Sequence, residues 1–498
     1  MNIIHGDCLE ELKKLEDDSI DAVVCDPPYG LSNTKPQQVA DVLKAWVTGD
    51  TVSVPAKRGG FMGKDWDSFV PPPAVWEECM RVLKPGGHMA VFAGARTQDL
   101  MGLSIRLAGF EIRDTLGWVY GSGFPKSMDV GKAIDKRGGN SHLAKEIGKA
   151  IQEARESRGL TKGWCDERFC CGTTNWSWFE GRPAGIRPPS VETFKDIVSE
   201  WPELESYAEK VAEVEREVVG KHQSGIHTGP SGVGGHGEGG AITTPATSEA
   251  QRWDGWGTSL KPAIEPIILA RKPLDGTVAQ NVLEHGVGGL NIDECRVAAD
   301  DKAKFPVGVV SETGTVYGGG EGIYADRPRT EDRNPAGRFP ANVLLDEHAA
   351  KEMDRQSGAR SDRGGAGNTA KEKRDFPSSY SLPGASKVAY NGEGGASRYF
   401  PVFKYQAKAP KKERPVIERE DGTRVQHPTV KPLALLDWLV TLITPPDGLV
   451  LDPFAGTGTT LQAATNKGFN PIGIEADADY IQLINKRMEG GEQSTRSN

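Results

Sequence analysis

Seven cysteines in 498 residues are few, odd in number and scattered without a framework. That excludes a disulfide-stapled secreted scaffold and fits a reducing interior. No apolar run approaches membrane-spanning length. The start, Met1-Asn2-Ile3-Ile4-His5-Gly6-Asp7, lacks the basic residues and long apolar core of a secretory leader. Positive charge is not in excess either: 60 Lys and Arg face 69 Asp and Glu, a net charge of -9. A protein coated in basic surface is thereby excluded, and any nucleic-acid partner must be met by local patches. Hydrophobic residues make up 37% of the chain, with 61 glycines. This is low for one compact core, so part of the chain is expected to be loop. The length suits about three domains. A soluble, intracellular protein with no membrane partner is expected.

The chain is organised around Ala22-Val23-Val24-Cys25-Asp26-Pro27-Pro28-Tyr29-Gly30. The short β-branched run predicts a buried parallel strand. Pro27 and Pro28 cannot donate ladder hydrogen bonds, so the strand stops there. Asp26, the Pro27 carbonyl and the Tyr29 ring are then left at the C-terminal edge of a sheet, where open α/β sheets bind ligands. A carboxylate and a carbonyl can hold both N–H bonds of an exocyclic base amine and draw its lone pair out of conjugation. An aromatic ring can stack on the same base once it leaves the duplex. The alternative is a plain strand end with Tyr29 merely packed.

Alternation along the chain predicts a doubly wound α/β sheet. Strands are expected at 2–5, 22–25, 88–92 and 112–120, with helices near 8–15, 74–83 and 97–108. Leu31–Asp67 reads as an irregular loop over the strand ends. The pattern then breaks. Leu143, Ile147, Ile151 and Ala154 mark a helix over 142–158, Thr161 caps a second through Phe169, and 175–180 and 190–201 follow as a third and fourth. Short helices with a Gly-containing turn make a helix-turn-helix, and 147–204 resembles the phage-repressor type, although Asp166 stands where that type has a small residue. A helical insertion without a DNA role is the alternative. Cys165, Cys170 and Cys171 lack Cys-x-x-Cys spacing and read as core thiols, so no metal is expected. Residues 221–247 are Gly, His and Ser rich, the composition of a flexible linker. A strand is expected over 266–272. The stretch 295–399 suits a recognition module with mobile loops or a partly disordered region, with a short ordered piece at 339–345. Lys404, Lys408, Lys411, Lys412 and Arg414 form a basic cluster, read either as a solvated loop or as a phosphate contact.

The C-terminal quarter supplies a second ligand site. A strand at 448–451 runs into Asp452-Pro453-Phe454-Ala455-Gly456-Thr457-Gly458-Thr459-Thr460 and then a helix. Glycines in such a turn let a ligand approach the backbone. The next strand, 470–474, ends in Glu475, well placed to hold ribose hydroxyls. Leu461 stands where a dinucleotide fingerprint has its third glycine, and no lysine follows as in a Walker loop. A cofactor with a ribose and no phosphates fits, and S-adenosyl-L-methionine is such a molecule.

With these motifs together, the chain resembles the S-adenosylmethionine-dependent DNA amino-methyltransferases of the permuted β-class order, and especially phage and prophage adenine methylases. The carrying residues are Asp26-Pro27-Pro28-Tyr29, His427-Pro428-Thr429-Val430-Lys431-Pro432, Asp452 through Gly458, and Gly473-Ile474-Glu475. The resemblance covers residues before about 125 and after about 253. It implies a class I methyltransferase fold: a Rossmann-like, mostly parallel, circularly permuted sheet carrying an inserted helix-turn-helix-like domain and an irregular target-recognition region. It implies Asp26, Pro27, Pro28 and Tyr29 as the catalytic motif. For the cofactor it implies Glu475 on the ribose, Asp7 on the adenine amine, and Phe454, Gly456 and Gly458 in the turn that Asp452 opens. Thr429 and Lys431 would lie beside the amino-acid end of the cofactor.

The expected division is catalytic half 1–125, helical insertion 126–218, linker 219–252, methyltransferase return 253–294, target recognition 295–415, cofactor half 416–490 and a disordered tail 491–498. The implied reaction is methylation of adenine N6 in double-stranded DNA with the target base flipped, in the cytoplasm of a bacterial or phage-infected cell. Asp at the head of the motif, rather than Ser, points to adenine over cytosine N4. A helix-turn-helix regulator on an inactive scaffold and an RNA or protein methyltransferase are the rivals. A homodimer and a separate restriction endonuclease are left open as partners.

Overall fold

The computed structural model describes residues 2–32, 34–55, 67–121, 127–137, 140–169, 176–181, 188–214, 218–221, 227–228, 234–235, 241–243, 248–298, 337–361, 393–403, 413–419 and 421–495. The chain falls into two compact units, Met1–Gly123 with Ala263–Asn498, and Phe124–Pro262.

The first unit is built on one nine-stranded sheet. Its strands are β1 (Asn2–His5), β2 (Ile20–Cys25), β3 (Leu83–Phe92), β4 (Glu111–Val119), β5 (Ile264–Arg271), β6 (Val343–Asp346), β7 (Val402–Phe403), β8 (Leu449–Asp452) and β9 (Asn470–Glu475). They lie in the order β1-β9-β8-β2-β3-β5-β4-β6-β7. Every neighbouring pair is parallel except the two made by β5, which runs antiparallel to both β3 and β4. The N-terminal strand β1 docks beside β9, with His5 opposite Glu475. The first and last parts of the chain therefore share one sheet edge.

Helices cover both faces: α1 (Cys8–Leu12), α2 (Pro36–Val47), α3 (Pro73–Val82), α4 (Gln98–Leu107), α5 (Leu433–Ile443), α6 (Thr459–Asn466) and α7 (Ala478–Thr495). The central strands are apolar over 22–25 and 89–92 because successive side chains feed opposite cores. Val23, Cys25, Met89 and Val91 join Trp76, Cys79, Met101 and Ile105 on one face. Ala22, Val24, Ala90 and Phe92 join Leu435, Leu439, Val440 and Ala463 on the other. Asp21 is the polar exception in β2, and it is satisfied by Lys84 Nζ and Leu449 N, each at 2.7 Å.

Several sequence expectations need correction. Leu31–Asp67 is not all irregular: α2 starts at Pro36 and buries Val42 and Trp46. Val39, Val42, Leu43 and Trp46 recur at helical spacing, and proline is favourable in a first turn. Strand β3 begins at Leu83 rather than 88, because Lys84-Pro85-Gly86-Gly87 is absorbed as a bulge between Ile20↔Leu83 and Ala22↔His88. Strands β6 and β7 lie within the expected target-recognition stretch and join the sheet edge. The basic cluster at Lys404, Lys408, Lys411 and Lys412 lies outside the described residues. The last helix continues to Thr495, into the expected disordered tail.

The second unit holds helices at Asn140–Ser157, Lys162–Phe169, Ser177–Glu180 and Val191–Glu200. Thr161 Oγ1 accepts from Trp164 N at 3.1 Å, and Ser190 Oγ accepts from Thr193 N at 3.1 Å, each fixing a helix start. Ile147, Ile151, Phe169, Trp176, Phe179, Phe194, Ile197 and Trp201 form the core. Cys165 is buried there, and burial pushes its thiol up to about 11. Cys170, Cys171 and the turn before Trp176 lie outside the described residues. Asp166 accepts a hydrogen bond from Trp176 N and so ties two helices together. Within the expected linker, Val218–Lys221 pairs with Ala241–Thr243 and His227–Thr228 with Gly234–Gly235, both antiparallel. Among the described residues no helix is long and apolar enough to cross a membrane.

Glu180 is the polar keystone of this unit: its side chain is 1% exposed and receives Arg155, Lys162 at 2.9 Å and Trp176 Nε1 at 2.7 Å. Glu180→Ala strands a guanidinium and an indole N–H in the core, and is expected to cost the unit about 3–5 kcal/mol. Hydrogen exchange localised to residues 140–214 should show the loss. Protection like that of the wild type would contradict this role.

Candidate functional site

Parallel strands all present their C-terminal ends at one edge, and β5, running the other way, brings its start there. Moving across the sheet, Glu475 ends β9, Asp452 ends β8 and Asp26 directly follows β2. Adjacent strands lie about 4.8 Å apart, so Glu475 and Asp26 stand roughly 10 Å apart with Asp452 between them. Glu265, the second residue of β5, lies at the same edge, paired in register with Trp118.

The acceptor motif is held from below by groups that are remote in sequence. Asp67 Oδ1 accepts from Tyr29 N at 2.7 Å and from Gly30 N at 2.9 Å. The Thr97 hydroxyl donates to Tyr29 O at 2.6 Å. Gly30 adopts φ +66°, and a Cβ there would fall 2.7 Å from Val70 N and 2.8 Å from the Phe69 carbonyl carbon. Only glycine fits this turn. Asp67 was not singled out from sequence, since a lone acid in a polar stretch carries no periodic signal.

At the centre, both Asp26 oxygens are hydrogen-bonded. Tyr29 Oη donates to Oδ1 at 2.8 Å, and Lys431 Nζ donates to Oδ2 at 2.8 Å. Lys431 Nζ also lies 3.4 Å from Glu265 Oε2, and 5.2 and 5.0 Å from the Tyr29 and Phe92 ring centres. Burial alone pulls the ammonium pKa down, but Asp26 and Glu265 more than offset it and hold it above the usual lysine range. Burial, with the Asp26 charge adding to it, raises the Tyr29 phenol well above its ordinary value, so the hydroxyl keeps its proton. The Tyr29 ring is partly buried against the core and faces the Lys431 ammonium, which differs from a ring open for stacking.

The glycine turn forms the neighbouring half. Gly456 and Gly458 have φ +53° and +72°. Gly456 N donates to Glu475 Oε2 and Asp477 N to Oε1, both at 2.8 Å. The Glu475 carboxylate is thus aimed by backbone while each oxygen keeps a lone pair for a hydroxyl. Burial raises its carboxyl. His427 lies over the turn, its Nε2 3.6 Å from where a Gly456 Cβ would be, and its ring packs 4.7 Å from Tyr480. The carbonyl of Thr429 is hydrogen-bonded to His427 Nδ1. Phe454 packs on Trp76 at 6.1 Å, at the core margin. Asp7 Oδ1 caps α1, accepting from Leu9 N at 3.0 Å and Glu10 N at 3.3 Å. Asp275, Glu284 and His285 bring ligand atoms within 4.8 Å of one another, away from these strand ends, on residues mostly exposed.

These arrangements identify an α/β fold whose strand-end acids and glycine turn suit a ribose-bearing, phosphate-free ligand. The chain belongs to the DNA methylase family, whose model matches residues 20–136 and 298–486. The type II methyltransferase M.HinfI of Haemophilus influenzae is 44% identical over 77 residues, covering 16% of this chain and 21% of that protein. M.ScaI of Streptomyces caespitosus is 36% identical over 77 residues, 16% and 25% of the two chains. The DNA adenine methyltransferase YhdJ of Escherichia coli (strain K12) is 43% identical over 63 residues, 13% and 21%. The chain thus spans about a quarter or less of the length of these relatives. A solved M1.HpyAVI–SAM complex aligns over 98% of both chains at 12% identity with a TM-score of 0.33. Family membership implies S-adenosyl-L-methionine as cofactor. The residues present fit it: a backbone-aimed carboxylate for hydroxyls, a turn opened by Gly456 and Gly458, and carboxylates suited to a cationic ligand.

Asp452 carries a pH signature. Burial pushes its carboxyl up to about 7, opposed by hydrogen bonds from Thr460 and Phe454 N and reinforced by the charges of Asp26 and Glu475. The folded protein therefore binds this proton more tightly than the unfolded chain, whose carboxyl titrates near 4. The stability so gained is complete below about pH 4 and is lost as pH rises to about 7. Asp452→Asn removes the dependence. The thermal midpoint of the variant, relative to the wild type, should be higher at pH 8 than at pH 5. An offset independent of pH would contradict the assignment.

Proposed function

We propose that the protein transfers the methyl group of S-adenosylmethionine to the exocyclic N6 amine of adenine in double-stranded DNA, acting on a base flipped out of the helix. The observation that carries this reading is the Asp26 carboxylate, fixed at the sheet edge by Tyr29 and Lys431 and separated from the Glu475 turn by one strand. The cofactor supplies an electrophilic methyl carbon on a good leaving group. Positioning therefore supplies much of the acceleration.

Within that reading, Glu475 holds the ribose hydroxyls. Gly456 and Gly458 leave room beside them, and Thr429 and Lys431 lie toward the amino-acid end. Asp7 accepts from the adenine amine of the cofactor, and Asp452 and Phe454 complete the pocket wall. Asp26 accepts one N–H of the target amine and Pro27 the other through its carbonyl, turning the nitrogen lone pair out of the ring system. Pro28 ends the strand so that these acceptors face outward. Tyr29 anchors Asp26 through its hydroxyl and supplies an aromatic wall to the base. The amine loses its proton after attack, so Asp26 orients and stabilises positive charge on nitrogen and need not be a strong base beforehand. The aspartate at the head of the motif, and the likeness to one relative named as a DNA adenine methyltransferase, favour adenine over cytosine.

Asp26→Ala is expected to leave cofactor affinity within about twofold, since the cofactor is held by other residues, while lowering methyl transfer by at least about 1000-fold. Calorimetric titration with the cofactor and incorporation of labelled methyl into unmethylated DNA measure the two quantities. A variant that retains most of the transfer activity would sink the assignment.

A further inference from the structure

In the free enzyme the target amine has a competitor for Asp26. Lys431 Nζ occupies Oδ2 at 2.8 Å, so an arriving N–H must share or take that position. Lys431 cannot simply withdraw. Its side chain is 9% exposed and its ammonium is flanked by the rings of Tyr29 and Phe92. An ammonium moved off its carboxylate in such surroundings is strongly disfavoured. The structure offers one nearby place for it to go. Glu265 Oε2 lies 3.4 Å from Nζ, is buried, and makes no hydrogen bond. A small displacement of Nζ reverses its distances to the two carboxylates. Glu265 stands at this edge only because β5 is antiparallel, which puts the beginning of that strand where β2 and β3 end.

We propose that Glu265 is a positioning residue for methyl transfer: it receives the Lys431 ammonium when the target amine takes the place of Lys431 on Asp26. This rests on Asp26 being the acceptor of that amine. The exchange moves hydrogen bonds only. One N–H of the amine replaces Nζ–H on Asp26 Oδ2, and Nζ–H turns to Glu265 Oε2. No bond between heavy atoms forms or breaks and no proton changes owner, so the net charge of the three side chains is the same before and after. Without Glu265, Lys431 stays on Asp26 and the amine meets an occupied acceptor.

The test is a double-variant cycle of Glu265→Gln and Lys431→Met, with Glu265→Asp as the conservative variant. Steady-state methyl transfer to unmethylated DNA and calorimetric cofactor affinity are measured for each. Glu265→Gln is expected to keep cofactor affinity within about twofold while lowering kcat/KM for DNA by about tenfold or more. In the Lys431→Met background the same change should cost about twofold or less, because no ammonium then competes for Asp26. Glu265→Asp should recover part of the loss. Wild-type rates in Glu265→Gln, or an equal loss in both backgrounds, would overturn the proposal. If Glu265→Gln does not fold, Glu265→Asp decides: it must show a reduced rate that is relieved by Lys431→Met. A wild-type enzyme that transfers no methyl to DNA would instead refute the reading of the site itself.

Discussion

The Asp26–Lys431 contact joins residues 405 positions apart, and the geometry of the site follows from it. A buried lysine beside a single carboxylate gains little net stability, because desolvation consumes most of the attraction. Here the pair is embedded in further interactions: Tyr29 on the other Asp26 oxygen, two ring faces around the ammonium, and Glu265 as a second counter-ion. The ion pair thus fixes the segment 427–432 over the acceptor motif. That same segment places His427 against the Gly456 turn. One electrostatic contact therefore links the two halves of the site.

The edge carries more negative charge than a fold needs. Asp26, Glu265, Asp452 and Glu475 converge there, with Lys431 paired to the first two, and the Asp452 carboxyl is displaced to about 7, first by its burial and then by the Asp26 and Glu475 charges. Such an arrangement disfavours phosphates and favours a cationic ligand and an amine that gains positive charge. Local rules are commonly broken at functional sites, where burial and like charges are tolerated for chemistry. The acidic balance of the whole chain, -9, runs in the same direction.

Much of this was legible in sequence because it is written in local chemistry. A buried strand stopped by two prolines, a glycine turn after an apolar strand, and an acid ending the next strand are short-range patterns with physical causes. The alternation of strands and helices gave the sheet for the same reason. What escaped depends on partners distant in sequence. Asp67 matters only because Tyr29 N and Gly30 N lie above it. Glu265 opens a strand that reads as apolar, and its place at the edge follows from the antiparallel direction of β5, which no local pattern encodes. Helix α2 carries a helical apolar spacing at Val39, Val42, Leu43 and Trp46 that the surrounding polar residues mask. The Tyr29 ring shows the limit of motif reasoning: its packing against the core and its ammonium neighbour are tertiary facts.

The most direct measurement is of the product. Unmethylated duplex DNA incubated with the purified protein and S-adenosylmethionine, then digested to nucleosides and analysed by mass spectrometry, should contain N6-methyldeoxyadenosine. Its formation should be lost with Asp26→Ala. N4-methyldeoxycytidine in its place would contradict the choice of base, and unmodified nucleosides from an enzyme that binds the cofactor would contradict the account as a whole.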